Sequence, residues 1–356
     1  MRVALIGPPQ SGKSLLFAAV AEAGGSNVDL SRPDQSHLAV VKVPDERLDW
    51  SIAKFDAKKV THAELEFLDL PGFDLSDEAA RAHSQTHWPD MRQSDMIVLV
   101  VRAFEADDVA AYRGRIDPKA DVEEFLAEML FADFDQVSAR IGKLQTALKK
   151  PMADHQAQMR ELDLMERLAK ALESEKPISE AIESESEARL IRSFAFLSQK
   201  PVLVALNCSE DALNDETERI SGLECIRLSA KIEEEIAQLP PSDRTEFLSD
   251  IGLQSAARDR IVQACYRGLN LVTFLTFQPR GECRAWTVPA GSDAVTAAGA
   301  IHSDIARGFI RAETVAFDDL RQAGDIKSAK AAGKFRLEGK SYIVQDGDVV
   351  NFRFNV

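Results

Sequence analysis

The stretch GPPQSGKS, residues 7–14, sets glycines, a lysine and a hydroxyl at spacings that suit one task, the cradling of phosphate oxygens. It fits G-x-x-x-x-G-K-S/T and stands between the apolar run VALI and an amphipathic stretch opening at Lys13, the strand and helix that such a loop requires. Backbone N–H groups around Gly12 would turn inward to the phosphates, and a side chain at Gly12 would crowd them. Lys13 supplies the positive charge that meets the β and γ phosphates, and the Ser14 hydroxyl is a ligand for Mg²⁺. The expected phosphate-binding set is Gly7, Gln10, Ser11, Gly12, Lys13, Ser14 and Leu15, with Lys13 also the catalytic cation.

A carboxylate on the magnesium side is the next requirement. Asp69-Leu70-Pro71-Gly72 follows the run ELEFL, so Asp69 is the second expected metal ligand and Gly72 offers an N–H to a γ-phosphate. Asn207-Cys208-Ser209-Glu210 and Ser229-Ala230-Lys231 follow two later apolar runs, where guanine-reading proteins place Asn-Lys-x-Asp and a second base-contacting segment. Here Cys208 replaces the lysine and Glu210 is one methylene longer than Asp. A misplaced carboxylate leaves buried polar groups unpaired at about 1–3 kcal/mol each, roughly one to two decades of guanine preference. Adenine presents neither of the donors concerned, so the loss falls on GTP and not on ATP. Asn207, Cys208, Glu210, Ser229, Ala230 and Lys231 complete the expected nucleotide site.

The elements that must position these residues show three textures. Up to about Arg115, the runs VALIG, HLAVVKV, ELEFLDL and MIVLVV read as buried strands between amphipathic stretches, which predicts a largely parallel sheet. From Val122 to Leu148, and again from Leu162 to Leu172, apolar residues recur three or four apart, the pattern of two long helices packed as an antiparallel hairpin. Pro151 marks the turn between them. A further helix over 187–198 returns the chain to a strand over 201–206 and another over 224–228. After a helix over 256–268 come strands over 271–277, 285–288, 341–344 and 349–354, with helices over 294–305 and 317–322 between them. The chain therefore divides into an α/β nucleotide-binding domain at 1–117 and 199–272, an inserted helical domain at 118–198, and a small α+β domain at 273–356.

With 356 residues the chain is long enough for two or three cores, and its 28% charged and 45% hydrophobic content is that of a soluble globular protein. The net charge of -15 excludes a surface that grips nucleic acid throughout, so DNA is not expected as a partner. A local basic stretch, residues 321–340, carries six basic against two acidic residues and is a candidate contact for ribosomal RNA, or else a solvated loop and helix. The four cysteines, Cys208, Cys225, Cys265 and Cys283, form no C-x-x-C pair and are expected as reduced thiols. No run approaches the ~20 apolar residues of a membrane span, and the opening MRVALIG does not read as a signal peptide. A cytoplasmic protein without a membrane partner is expected.

Beyond the phosphate loop, VPDERL at 43–48, VVRAFEADD at 100–108, FLSQKP at 196–201, RAWTVPAG at 284–291, IHSDIARGFIRAETV at 301–315 and YIVQDGDVVNFRFNV at 342–356 give the chain a specific likeness. It resembles the YchF/Obg-like ATPase family, translation-factor-like P-loop proteins that carry Asn-x-x-Glu. The resemblance spans essentially the whole length. It implies a G domain, an inserted helical hairpin and a C-terminal TGS domain of β-grasp type. It also implies slow ATP hydrolysis favoured over GTP hydrolysis, association with the ribosome, its large subunit in particular, and a role in translation or stress regulation.

The departures from the family pattern are equally specific. Gln10 stands where the family loop has Asn, so monovalent-cation assistance is not carried over. The family's first switch holds a threonine that ligates Mg²⁺; counting back from VPDERL places Pro33 there, with Ser31 or Ser36 as substitutes. The glycine-rich second switch is replaced by FDLSDEAARAHSQTHWPD, in which Phe73 is the apolar residue found where other GTPases carry a water-orienting glutamine. A family histidine is matched by Ala111, which leaves His83 and His87 either as recruits for that task or as surface histidines on a polar helix. Three readings follow: an ATP-preferring nucleoside triphosphatase with weak or partner-stimulated turnover, a hydrolysis-deficient nucleotide-binding scaffold, or a GTPase.

Overall fold

The computed structural model describes residues 1–23, 35–107, 109–149, 154–213, 219–278 and 281–355. The expectations at Ser31, Pro33 and Pro151 lie outside them. In chain order, β1 (Arg2–Ile6) leads to α1 (Lys13–Ala23), then β2 (His37–Lys42), α2 (Glu46–Phe55), β3 (Lys59–Thr61) and β4 (Glu64–Asp69). Next come α3 (Glu78–Gln85), α4 (Trp88–Gln93), β5 (Met96–Ala103), the long α5 (Pro118–Ala147), α6 (His155–Glu173) and α7 (Glu185–Ile191). The middle of the chain adds β6 (Val202–Cys208), β7 (Arg219–Ile220), β8 (Leu223–Leu228), α8 (Ala230–Gln238), α9 (Pro241–Asp250) and α10 (Ala257–Gly268). The last stretch holds β9 (Leu271–Phe277), β10 (Glu282–Pro289), α11 (Ala294–Ile301), α12 (Ser303–Arg307), β11 (Phe309–Ala316), α13 (Phe317–Ala323), α14 (Ile326–Ala331), β12 (Arg336–Glu338) and β13 (Asp348–Phe354).

The chain forms two compact units, residues 1–39 with 66–258 and residues 40–65 with 259–356. The sheet of the first has the order β2-β4-β1-β5-β6-β8-β7. Its central strands are parallel, β1 beside β4 and β5, and β6 beside β5 and β8, as continuous apolar runs require when both faces are covered. Strand β5 is buried along all but its last residue.

Helix α5 serves two cores in turn. Val122, Phe125 and Met129 pack with Leu99, Leu206 and Phe73 against the sheet. Val137 and Leu144 then meet Leu164, Met165, Leu168 and Leu172 of α6, the two apolar stripes of the antiparallel hairpin. Arg140 bridges the pair through Glu161, with Nε and Nη2 on the two carboxylate oxygens at 2.7 and 2.8 Å. Between the two cores sits Asp133, wholly buried, which accepts from Arg92 Nη1 at 2.8 Å and from the N–H groups of Leu197 and Ser198 at 2.9 and 2.8 Å. One carboxylate thus ties the root of the hairpin to the segment that returns to β6. The helix expected over 187–198 is α7 alone, followed by short turns that present these two N–H groups.

The sheet of the second unit is mixed, in the order β12-β11-β13-β9-β10-β3. Parallel β9 and β13 lie at its centre, and Phe274, Val288, Ala297, Phe309, Val350 and Phe352 form the core, a β-grasp arrangement. Two sequence expectations are corrected here. Residues 341–344 are not a strand; only Ile343 bridges, to Asp293. The edge is built instead by β12, paired to β11. The helix expected over 294–305 breaks at His302, whose extended backbone and Nδ1, accepting from Asp304 N at 3.2 Å, start a separate turn, α12. The basic stretch is largely paired: Lys330 with Glu313 at 3.7 Å, Lys334 with Asp319 at 3.0 Å and Arg336 with Glu338 at 3.2 Å.

Candidate nucleotide site

The loop between β1 and α1 begins with Gly7, which has no room for a side chain: a Cβ there would lie 2.2 Å from Val100 O. Gln10 and Gly12 follow with φ of 63° and 87°, the left-handed turns that wrap the loop round its own N–H groups. Asn207, buried at the end of β6, latches this turn. Its Nδ2 donates to Ser11 O at 2.8 Å, and its Oδ1 accepts from Ala230 N at 3.0 Å at the start of α8. A Cβ on Gly12 would come within 2.1 Å of that Nδ2, so glycine at this position is fixed by the latch as well as by its φ.

Lys13 Nζ is bonded to Asp69 Oδ1, with both side chains buried and His37 Nδ1 3.9 Å from the other carboxylate oxygen. Burial pushes the Asp69 carboxyl above its usual range, and the Lys13 charge opposes that rise. Ser14 is exposed beside Lys13, and Leu15 projects to solvent. Phe73 N donates to Gly7 O at 2.9 Å, which seats Gly72 against Pro9 on the opposite lip. A cleft of about 610 Å³ opens here, lined by the loop and by Gly72, Asp74, Ala80, His83 and Ser84.

A second cleft of about 710 Å³ shares Gln10, Gly12 and Leu15 with the first and is walled by Phe104, Glu105, Ala106 and Val109 on one side and by residues 207–210 and 229–231 on the other. Glu210 and Lys231 form an exposed pair at 3.7 Å across its rim. Cys208 is turned inward, its Sγ donating to Leu228 O at 3.4 Å, and burial pushes its thiol up. Ser229 caps α8, its hydroxyl accepting from Ile232 N at 3.4 Å. The wall at Phe104 is held by buried Arg102, which stacks over the ring at 4.5 Å and donates to the carbonyls of Phe104, Val109 and Ala110.

The fold therefore brings every expected site residue to one of two adjoining clefts or to the side chains that support them. Other contributors are not announced by the motifs, among them the wall at Phe104, Glu105, Ala106 and Val109. Ala80 and Ser84 depend on the register of α3, and Asp74 on its tie to Ser84, while Arg102 is set by the carbonyls it meets at Phe104, Val109 and Ala110.

Residues 2–132 match the family model described as 50S ribosome-binding GTPase, and residues 271–355 match the YchF-GTPase C-terminal model, described as a protein of unknown function (DUF933). The chain is 37% identical over 365 residues to the ribosome-binding ATPase YchF of Bacillus subtilis, covering 99% of this chain and 98% of that protein. It belongs to the YchF family. The Haemophilus influenzae YchF is 36% identical over 362 residues, and Obg-like ATPase 1 of Caenorhabditis elegans is 30% identical over 371, covering 100% of this chain and 92% of that protein. Among solved structures, the Schizosaccharomyces pombe YchF GTPase superposes with a TM-score of 0.83 at 26% identity, covering 99% of this chain and 97% of that one. A Pyrococcus horikoshii GTP-binding protein, with a TM-score of 0.59 at 16% identity, shares the fold. For this YchF-family chain, the G domain and the C-terminal domain are thus shown. Among the described residues no helix is long and apolar enough to cross a membrane.

Proposed function

We propose that this chain is a magnesium-dependent nucleoside triphosphatase that prefers ATP to GTP, turns over weakly alone and binds the ribosome; ATPase activity and ribosome binding are what the printed name of its YchF relatives describes for them. The observation that carries the reading is the pair of clefts meeting at Gln10, Gly12 and Leu15, one built for phosphates and one sized for a base. Asn207 clamps the loop between them.

In this reading Lys13 leaves Asp69 to meet the β and γ phosphates, and the Gly72 N–H receives a γ-phosphate oxygen. The Ser14 hydroxyl and the Asp69 carboxylate, both hard oxygen donors, would hold Mg²⁺, which neutralises phosphate charge when bound. Among the described residues no group of three or more His, Cys, Asp or Glu side chains is placed to hold a metal. That fits magnesium, which takes one or two protein ligands and completes its shell with phosphates and water. On the base side, Glu210 is engaged by Lys231 at the rim and is one methylene longer than the guanine-reading Asp. That arrangement supports adenine.

The test is displacement of a fluorescent ATP analogue by ATP and by GTP with Mg²⁺, followed by phosphate release with and without ribosomes. Preferential displacement by ATP and ribosome-stimulated release are expected; equal displacement removes the adenine preference, and no release under either condition leaves a nucleotide-binding scaffold. The scaffold is favoured by one observation, that Phe73, next to Gly72, is packed into the core. Contact with ribosomal RNA through residues 321–340 predicts that charge reversal at Lys327, Lys330 and Lys334 weakens co-sedimentation and flattens its salt dependence; an unchanged profile removes that contact.

A further inference from the structure

The phosphate cleft needs a group to orient the water that attacks the γ-phosphorus, and its lining restricts the candidates. Phe73 is excluded, since its ring is 3% exposed and lies 5.2 Å from Phe125, edge to face, and 5.4 Å from Trp88. Asp74 lies in the loop before the helix, tied to its own turn by Oδ1, which accepts from Ser76 N at 2.8 Å, and Asp74→Asn beside His83→Ala tests whether its other oxygen takes part. The Ser84 hydroxyl is engaged on both sides, accepting from Asp74 N at 2.9 Å and donating to Asp74 O at 3.0 Å.

Helix α3 presents Ala80, His83 and Ser84 to the cleft, the i, i+3, i+4 face of one helix. That face is held in register from three directions. Asp77 caps the helix through Ala80 N at 2.8 Å, Ser84 ties it to the loop after Gly72, and Arg81 on the other side is bonded to the buried carboxylate of Glu128 on α5. His83 is the remaining polar group of that face, exposed to the cleft. Among the described residues no hydrogen bond engages its ring, which meets only His87, edge to face at 5.7 Å.

We propose that His83 orients the attacking water in this chain, an assignment that rests on the hydrolytic reading above. The water oxygen forms its bond to the γ-phosphorus as the bond from phosphorus to the β–γ bridging oxygen breaks, and that oxygen leaves with the electron pair on the nucleoside diphosphate. The imidazole accepts the proton the water gives up and passes it to solvent. Ala80, small and one turn earlier on the same face, lines the same cleft as Gly72.

The test is single-turnover phosphate release by the full chain and by His83→Ala, His83→Gln and Gln10→Ala, with nucleotide affinity measured alongside by fluorescent ATP analogue. For His83→Ala, release is expected to fall about 100-fold with affinity within about threefold of the parent. Partial recovery is expected in His83→Gln and on adding free imidazole to His83→Ala, a rescue that a structural role would not give. Release retained in His83→Ala, or lost in Gln10→Ala while His83→Ala keeps it, overturns the assignment and leaves the triphosphatase reading standing. A parent chain that binds nucleotide but releases no phosphate, with ribosomes or without, overturns both.

Discussion

The Lys13 ammonium and the Asp69 carboxylate are bonded to each other in the interior of the site, each with less than a tenth of its side chain exposed. In the function proposed above, the cation that would meet a triphosphate is stored against the anion that would hold magnesium, and nucleotide with its metal would exchange one pair for two. Lys13→Ala is expected to abolish nucleotide binding and to cost about 3 kcal/mol of stability, because it leaves a buried carboxylate unpaired. Burial already raises the Asp69 pKa, and loss of Lys13 raises it further. A carboxyl raised in the folded state contributes stability below its unfolded pKa and loses it as pH rises through the folded value. The variant should thus be hurt more at pH 8 than at pH 5. Thermal unfolding at the two pH values checks this, with Lys13→Ala/Asp69→Asn expected to recover part of the loss.

Asn207→Ala removes the latch and orphans Ser11 O and Ala230 N. At about 1–3 kcal/mol for each buried group, a fall in melting temperature of several degrees is expected. Nucleotide affinity should drop more than tenfold, since the loop loses its anchor. Calorimetry and analogue titration measure the two losses separately.

Glu210→Asp shortens the carboxylate to the length that guanine readers use and weakens its reach to Lys231, now 3.7 Å away. GTP affinity relative to ATP is expected to rise by about tenfold, read by competition against the fluorescent analogue. An unchanged ratio would mean that the Phe104 wall, not Glu210, sets base choice.

At the start of α5, burial pushes the Asp121 carboxyl up to about 6, against the pull of Arg115 3.3 Å away. The folded pKa lies above the unfolded value, so the stabilising contribution is complete below about 4 and is lost as pH rises through about 6. Asp121→Asn should accordingly be more stable than the parent at pH 8, by at most about 3 kcal/mol, with the difference closing at pH 4.5. Denaturant titrations at both pH values decide it.

How far the sequence foretold this molecule differs from residue to residue. Strands β1 and β5 were legible because VALI and MIVLVV are unbroken apolar runs, and the hairpin because its stripes keep helical spacing over many turns. Residues 341–344 misled because Tyr342, Ile343 and Val344 have strand propensity but stand in a turn, where only Ile343 pairs. The run 309–316, FIRAETVA, hid β11, because charged Arg311 and Glu313 interrupt its apolar pattern on the side where Glu313 pairs with Arg353. In the site, glycine and lysine spacing announced the phosphate loop, since its chemistry is local. The positions of His83 and Arg102 depend on tertiary packing, through Arg81–Glu128 and the 104–110 carbonyls, and no local pattern encodes that.

The 30 residues of α5 also have the shape of a lever arm whose fulcrum lies near the loop after Gly72. Phe73, one residue past Gly72, bears on Phe125 near the root of that helix, while Asp133 pins it a little further along. From Phe125 to the tip at Ala147 a rigid rod of about 33 Å swings its end by roughly 3 Å for a tilt of about 5°. A displacement at Gly72 too small to notice in the phosphate cleft would therefore become, at the far end of the hairpin, a movement the size of a side chain.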